Sequence, residues 1–355
     1  MQRLRIWLTR HFDLVRLFAA VAIGVLFAVV IIYFVSNQPG HALARLFGGP
    51  LQSVRRFGNV IELMIPLTFA GLSISVMFSA NQFNLGTEGA FYASGGVAAM
   101  AALGLGLPAG LSQLAAILAG SIVGGLICAL CGFLKVKWGT NELVTSLMLN
   151  YVMYYLFKYI LFNDPFKDAR AGYVSTYKLP QEARLPQLIA GTRIHAGLII
   201  MALAVLLVAV YMKKTSWGFS LKLTGENQTF AIYSGINVGM VILASQFAGG
   251  LLGGMGGSIQ VLGMYERFQW VNLPGYGFDG VIVSILAKKN PLLVPVAAFF
   301  LAYLRIGSDI MSSSTDVTNE LISIIQSIII LFVSAKVFLD AYRQKMVVKE
   351  VTSHE

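Results

Sequence analysis

Long apolar runs separated by short polar stretches set the pattern of this chain. The first, Leu17–Val35 (LFAAVAIGVLFAVVIIYFV), carries no charge and no period-two alternation, which suits a membrane-spanning helix and not a barrel strand. Nine further runs follow: Ile61–Phe78, Gly86–Leu105, Leu111–Leu134, Leu143–Phe162, Ile194–Met212, Met240–Leu262, Gly277–Ala287, Leu292–Arg305 and Leu321–Phe338. Most approach the roughly 20 residues that cross a bilayer, and several are short or broken by glycine. The expected fold is therefore all-α and polytopic, with about ten transmembrane helices in one domain over residues 17–338, between tails at residues 1–16 and 339–355.

Composition agrees, since 57% of residues are apolar and 12% charged, against the roughly 25% charge of soluble domains. The basic residues give an orientation. Arg3, Arg5, Arg10 and Arg16 precede the first run; Lys135 and Lys137 follow the fourth, Lys213, Lys214 and Lys222 the sixth, Lys288 and Lys289 the eighth, and Arg343, Lys345 and Lys349 the tenth. With ten spans all of these fall on one side, which the positive-inside rule makes the cytoplasm, so both termini are expected there, in a cell inner membrane. Arg45, Arg55 and Arg56 fall on the other side, an exception that a re-entrant segment ahead of the second span accounts for. The net charge of +10 is then topological and implies no nucleic-acid partner. The first run exceeds a signal-peptide core and has no small-x-small site after it at Ser36-Asn37-Gln38-Pro39, so it is expected to remain as an anchor. The longest outer segment, Asn163–Arg193, is expected to cover the mouth of the bundle or to help receive a binding protein. Cys128 and Cys131 form a CxxC within the fourth run; among Ile127, Ala129, Leu130 and Phe133 they are expected to pack, not to serve redox or metal chemistry.

Polar residues at membrane depth are expensive, and so they mark a path or a helix contact. Two patches stand out: Phe83-Asn84-Leu85-Gly86-Thr87-Glu88-Gly89-Ala90, opening the third run, and Pro274-Gly275-Tyr276-Gly277-Phe278-Asp279-Gly280-Val281, opening the eighth. The span count puts them at opposite faces, as expected of inverted-repeat halves, spans two to five against seven to ten, with broken helices near the midplane. A third stretch, Gly139-Thr140-Asn141-Glu142, leads into Leu147-Met148-Leu149-Asn150-Tyr151. The candidates for a translocation pathway are Asn84, Thr87, Glu88, Asn141, Glu142, Asn150, Phe278 and Asp279. For Glu88 and Asp279, gating a path and satisfying free N–H groups at a helix start are equal readings; for Glu142 the second is preferred. Asn150 suits a sugar hydroxyl, a base edge or another helix. Glu62, Lys158 and Arg305 sit near span ends, where they snorkel or pair. The run Gly249–Gly257 permits close backbone approach, either internally or against a second permease.

Between the sixth and seventh spans lies Lys213–Gly239 (KKTSWGFSLKLTGENQTFAIYSGINVG), far longer than the roughly five residues a turn needs. It reads as an amphipathic helical insert that presents a surface outside the membrane; the plainer reading is a solvated loop. Its centre, Gly225-Glu226-Asn227, then Ala231 and Ser234-Gly235-Ile236-Asn237-Val238, resembles the coupling segment of permeases in ATP-binding-cassette (ABC) importers. The resemblance is to the branch that carries branched-chain amino acids, simple sugars and nucleosides. The Glu88 patch, the Gly-Phe-Asp-Gly motif at 277–280 and the Gly139–Glu142 stretch resemble the same branch, and its nucleoside subgroup most. Where that branch has a pair of small residues in mid-motif, this chain has Thr229-Phe230-Ala231.

The resemblance implies a short cytoplasmic helix whose Gly225, Glu226, Asn227, Ala231, Gly235 and Ile236 dock on an ATPase, capped by Glu226, Asn227 or Thr224. It also implies three partners: an ABC ATPase subunit, a second homologous permease, and an extracytoplasmic solute-binding protein or lipoprotein, all around a subunit embedded in membrane lipid. A nucleoside is the implied solute, with simple sugars or branched-chain amino acids as alternatives. No GxxxxGK[ST] occurs in the chain, so ATP and its Mg2+ are expected on the partner. The chain itself is expected to bind no cofactor or metal and not to be an enzyme. An ion-coupled secondary transporter also has inverted repeats and broken helices, but leaves the long insert unused. A purely structural subunit would not need acids at two broken spans.

Overall fold

The computed structural model describes residues 36–317, together with 26, 27, 29–34, 324 and 327; both tails, much of the first expected span and most of the tenth lie outside the described residues. The helices are Pro39–Gly48 (α1), Val54–Ser79 (α2), Thr87–Gly104 (α3), Leu111–Trp138 (α4), Glu142–Leu161 (α5), Gly197–Lys214 (α6), Ser216–Glu226 (α7), Gln228–Tyr233 (α8), Val238–Met264 (α9), Tyr276–Leu286 (α10) and Val294–Ser314 (α11). Among the described residues there is no strand. The second to ninth expected spans each coincide with one of these helices, within a few residues except at the start of α2 and the end of α11.

Local chemistry sets the ends. The Ser53 side chain accepts from the Arg56 N–H, so α2 begins well before Ile61. Glu62 therefore lies two turns inside α2, buried, where it accepts from Gln260 Nε2 at 2.8 Å; of snorkelling and pairing, the two readings for this residue, it does not snorkel. Gly139, in a left-handed conformation, ends α4 behind Lys135 and Lys137, whose charges suit the carbonyl end of a helix. The Asn141 side chain then caps α5 by accepting from the Leu143 and Val144 N–H groups.

The chain divides into two compact units. The smaller contains the described residues up to Gln52 and from Tyr303 onward. Within it, α1 is a ten-residue helix with Arg45 in its last turn, and the Asp316 carboxylate accepts from Ser36 Oγ at 2.6 Å and from the Asn37 N–H at 2.7 Å.

The larger unit, residues 53–302, is built around α9, which packs against α2, α3 and α4. Glycine makes this possible. A Cβ on Gly254 would stand 2.7 Å from Ser94 Oγ and 2.8 Å from the Gly120 carbonyl of α4, and one on Gly256 would stand 2.6 Å from Phe69. The Gly249–Gly257 run thus serves internal packing, with backbones in the close approach that small residues allow. Cys128 and Cys131 are buried and unoxidised in the same layer.

The stretch 163–193 lies along the end of α9 and the chain that follows it. The N–H groups of Thr176, Leu179 and Leu185 donate to the carbonyls of Phe268, Glu266 and Leu262 at 3.1, 2.8 and 2.9 Å. Asp168 pairs with Arg267, and Glu266 with Lys178 and Arg184. The Arg267 hydrogen bond, with the Arg170 N–H, holds the Asp168 carboxyl below its ordinary value; the Lys178 hydrogen bond and the Arg184 charge do the same for Glu266. A carboxylate with a depressed folded-state pKa contributes above the unfolded value and stops contributing as pH falls through the folded one. A nitroxide on Tyr173→Cys is therefore expected to stay immobile from neutral pH to about pH 4 and to loosen only below it. Asp168→Asn should loosen it already at neutral pH.

Candidate functional site

Residues four apart on a helix share a face, and α5 carries Glu142, Ser146, Asn150, Tyr154 and Lys158 at that spacing. The chain between α2 and α3 runs non-helically beside this line. The Phe83 N–H donates to Glu142 at 3.4 Å, the Leu85 N–H to Ser146 Oγ at 3.1 Å and the Gly89 N–H to Asn150 Oδ1 at 2.8 Å. Asn150 Nδ2 returns a bond to the Leu85 carbonyl at 3.0 Å. Further along, the Tyr154 hydroxyl donates to the Val271 carbonyl at 2.7 Å, and Tyr92 of α3 to the Trp270 carbonyl at 3.0 Å. Non-helical backbone at membrane depth has to be satisfied by protein. One side-chain line on α5 serves both breaks, the one before α3 and the one before α10.

The two breaks also meet. Glu88, in the first turn of α3, accepts with one carboxyl oxygen from the Gly275 N–H and with the other from the Gly277 N–H, both at 2.6 Å. Gly277 approaches so closely that a Cβ would collide with the Glu88 backbone. Each helix N-terminus carries roughly half a positive charge, so the starts of α3 and α10 repel unless an anion lies between them. The Glu88 carboxyl lies there, and Asp279 occupies the first turn of α10. The two acidic patches, far apart in sequence, are one site.

The other candidates separate by exposure. Asn84, Thr87, Glu88 and Asn150 are buried. Asn84 donates to Gln246 and accepts from the Gly86 N–H, and Thr87 exchanges a hydrogen bond with Ser73. Asn141 caps α5, and Glu142 pairs with Lys135 at 2.8 Å. Phe278 is 42% exposed and Asp279 half-buried. Ser146, Tyr92 and Tyr154 were missed in the sequence, although the spacing of Ser146 and Tyr154 on α5 was there to be read. Asn150→Leu leaves the buried Gly89 N–H without a partner, at about 1–3 kcal/mol, and the Leu85 carbonyl with only the Glu88 N–H at 3.5 Å. Its thermal midpoint should fall by several degrees, while Tyr151→Leu on the exposed side should match the wild type.

The Lys213–Gly239 insert forms two short helices. Thr215 caps α7 by accepting from the Gly218 N–H, and Asn227 caps α8 by accepting from the Phe230 N–H at 2.9 Å. Of the three capping candidates Asn227 therefore serves; Thr224 is buried in α7 and Glu226 is exposed. Gly225 faces inward, where a Cβ would fall on the Ser79 carbonyl at the end of α2, and Ala231 is fully buried. Gly235, at φ 79°, turns the chain toward α9, with Ile236 half-buried behind it. The exposed face carries Glu226, Asn227 and Gly235 together with Phe230 (56% exposed), Ile232 (61%) and Tyr233 (87%), three apolar residues that the motif did not single out.

Residues 56–334 match the family described as branched-chain amino acid transport system / permease component. The chain is 28% identical to the glucose ABC transporter permease protein TsgB13 of Haloferax volcanii, over 95% of this chain and 90% of that protein. It is 27% identical to the guanosine ABC transporter permease protein NupP of Bacillus subtilis, over 91% and 92%. Its fold is similar to that of PsaBC from Streptococcus pneumoniae in complex with Fab, with a TM-score of 0.51 at 12% identity over 84% of this chain and 99% of that one.

Proposed function

The chain belongs to the branched-chain amino acid transport system permease family, and from that premise we propose that it carries nucleosides inward across the cytoplasmic membrane as one subunit of an ATP-driven importer. It is a multi-pass ABC transporter permease, a class in which ATP hydrolysis sits on a separate ATPase subunit. The observation that carries the nucleoside reading is the exposed ring of Phe278 next to half-buried Asp279. Exposed Phe278 offers a ring on which a base stacks, and Asp279 beside it offers acceptors for ribose hydroxyls. The relative that carries guanosine supports the same choice. A second reading, a monosaccharide, is favoured by the glucose permease relative at similar identity.

In this reading Phe230, Ile232 and Tyr233 enter a groove on the ATPase, with Gly225 and Ala231 fixing the insert to α2 and the bundle. ATPase closure then moves the ends of α2, α6 and α9 together, and the joined starts of α3 and α10 move with them. A second permease completes the path, and an external binding protein delivers solute to it. The test is uptake of radiolabelled guanosine, adenosine, uridine, glucose and leucine by proteoliposomes holding the assembled transporter, with wild-type and hydrolysis-deficient ATPase. Nucleoside uptake that needs hydrolysis and falls at least tenfold in Phe278→Ala supports the reading. Glucose uptake that unlabelled guanosine does not compete for replaces it with the second.

A further inference from the structure

A cavity of about 220 Å3 lies where α6, α7 and the turn after α10 come together. Lys213 at the end of α6, Lys222 on α7, and Lys288 and Lys289 in the turn line it, with Ser79 and Asn290; among the described residues no lining residue is acidic. A cleft lined by one sign of charge concentrates the opposite sign. The turn is held in an unfavourable form to build this wall, since Lys288 and Lys289 both take left-handed backbone conformations, at φ 50° and 58°. Such conformations persist in non-glycine residues where the surroundings over-determine them, and they gather at ligand sites. Local hydrogen bonds fix the turn: the Lys288 N–H donates to the Ile285 carbonyl, the Lys289 N–H to the Ser284 carbonyl, and Lys289 Nζ to the Phe78 carbonyl at 2.8 Å.

An apolar track leads to the cavity. Ile199, Leu203, Leu206 and Val210 are all exposed, and the helical repeat sets them on one face of α6. Lys213 continues that face at its end. An apolar strip that terminates in clustered ammonium groups has the polarity of an anionic phospholipid, chain first and headgroup last, and basic pockets at the cytoplasmic ends of transmembrane helices bind such headgroups. We propose that this cavity binds a phosphate anion, presented by an anionic phospholipid whose acyl chain lies along α6. Lys222 belongs to the same helix as Gly225, so the bound headgroup ties the insert to the membrane surface next to its contact with α2.

The test uses the assembled transporter in detergent, titrated with short-chain phosphatidylglycerol, phosphatidylcholine of equal chain length, or inorganic phosphate, with thermal midpoint as readout. Phosphatidylglycerol is expected to raise the midpoint saturably and phosphatidylcholine not to. The Lys213→Gln/Lys222→Gln/Lys288→Gln variant should need at least tenfold more phosphatidylglycerol; Lys289 is kept because it holds the Phe78 carbonyl. The corresponding arginine variant should bind as the wild type does, which separates lost charge from lost folding, and Lys167→Gln/Lys178→Gln, far along the chain from the cavity, should leave the shift produced by phosphatidylglycerol unchanged. Inorganic phosphate that displaces the lipid and reproduces its effect alone assigns the same site to a free anion. Equal response to both lipids, an unchanged glutamine variant, or a lipid effect present in the isolated permease and lost on ATPase assembly would each overturn the proposal, the last because the lysines would then belong to the ATPase interface.

Discussion

Glu88→Ala is expected to abolish uptake and to lower the thermal midpoint more than any other single change in the site. The substitution leaves the Gly275 and Gly277 N–H groups buried without acceptors, at about 1–3 kcal/mol each. It also removes the carboxyl that lies between the starts of α3 and α10 and joins them. Against a total stability on the order of 5–15 kcal/mol, that loss is a large fraction. Glu88→Gln keeps one acceptor oxygen and turns an amide donor toward the other N–H, so it should retain part of the stability and a small part of the transport. Gly277→Ala attacks the same contact from the other side, because its Cβ collides with the Glu88 backbone. Uptake and thermal midpoint measured on the three variants at matched expression decide the matter. Wild-type uptake by Glu88→Ala would show that the junction of α3 and α10 does not depend on the carboxylate.

How much of this was legible in the sequence depends on the range of the forces involved. The helices α2, α4, α6, α9 and α11, which among the described residues are long and apolar enough to cross a membrane, were readable because an apolar length near the bilayer thickness is a local property. The helix starts at Ser53 and Asn237 and the stop at Gly139 are set by capping residues within a turn or two, local signals that runs bounded at Ile61, Met240 and Leu134 did not use. The role of Glu88 was not readable, since its partners lie 187 and 189 residues away and nothing local distinguishes a carboxylate that caps its own helix from one that caps another. Asn150 and Ser146 stood at the spacing of a shared helix face, but what they bond is decided by where the chain from Phe83 to Gly89 runs. The insert between α6 and α9 announced itself by its length and polarity. Which of its faces is buried was set by the end of α2, so Gly225 and Ala231 were grouped with surface residues from which the fold separates them.

That separation gives the second large effect. Phe230→Ala with Tyr233→Ala is expected to cut ATP-dependent uptake at least tenfold while leaving the thermal midpoint of the isolated permease unchanged. Both side chains are exposed and contribute little to the fold, whereas a buried aromatic anchor at an interface is worth roughly 2 kcal/mol or more, about a thirtyfold change in affinity. Gly225→Val should behave in the opposite manner. Its Cβ falls on the Ser79 carbonyl, so α7 shifts off the end of α2 and the permease loses stability before any partner is present. Two measurements on each variant separate the cases: thermal midpoint of the permease alone, and affinity for the ATPase by titration in nanodiscs. A Phe230/Tyr233 variant that binds the ATPase with wild-type affinity would move the docking surface elsewhere on the insert. A Gly225→Val protein as stable as the wild type but unable to bind would return the glycine to the interface, where the motif alone had placed it.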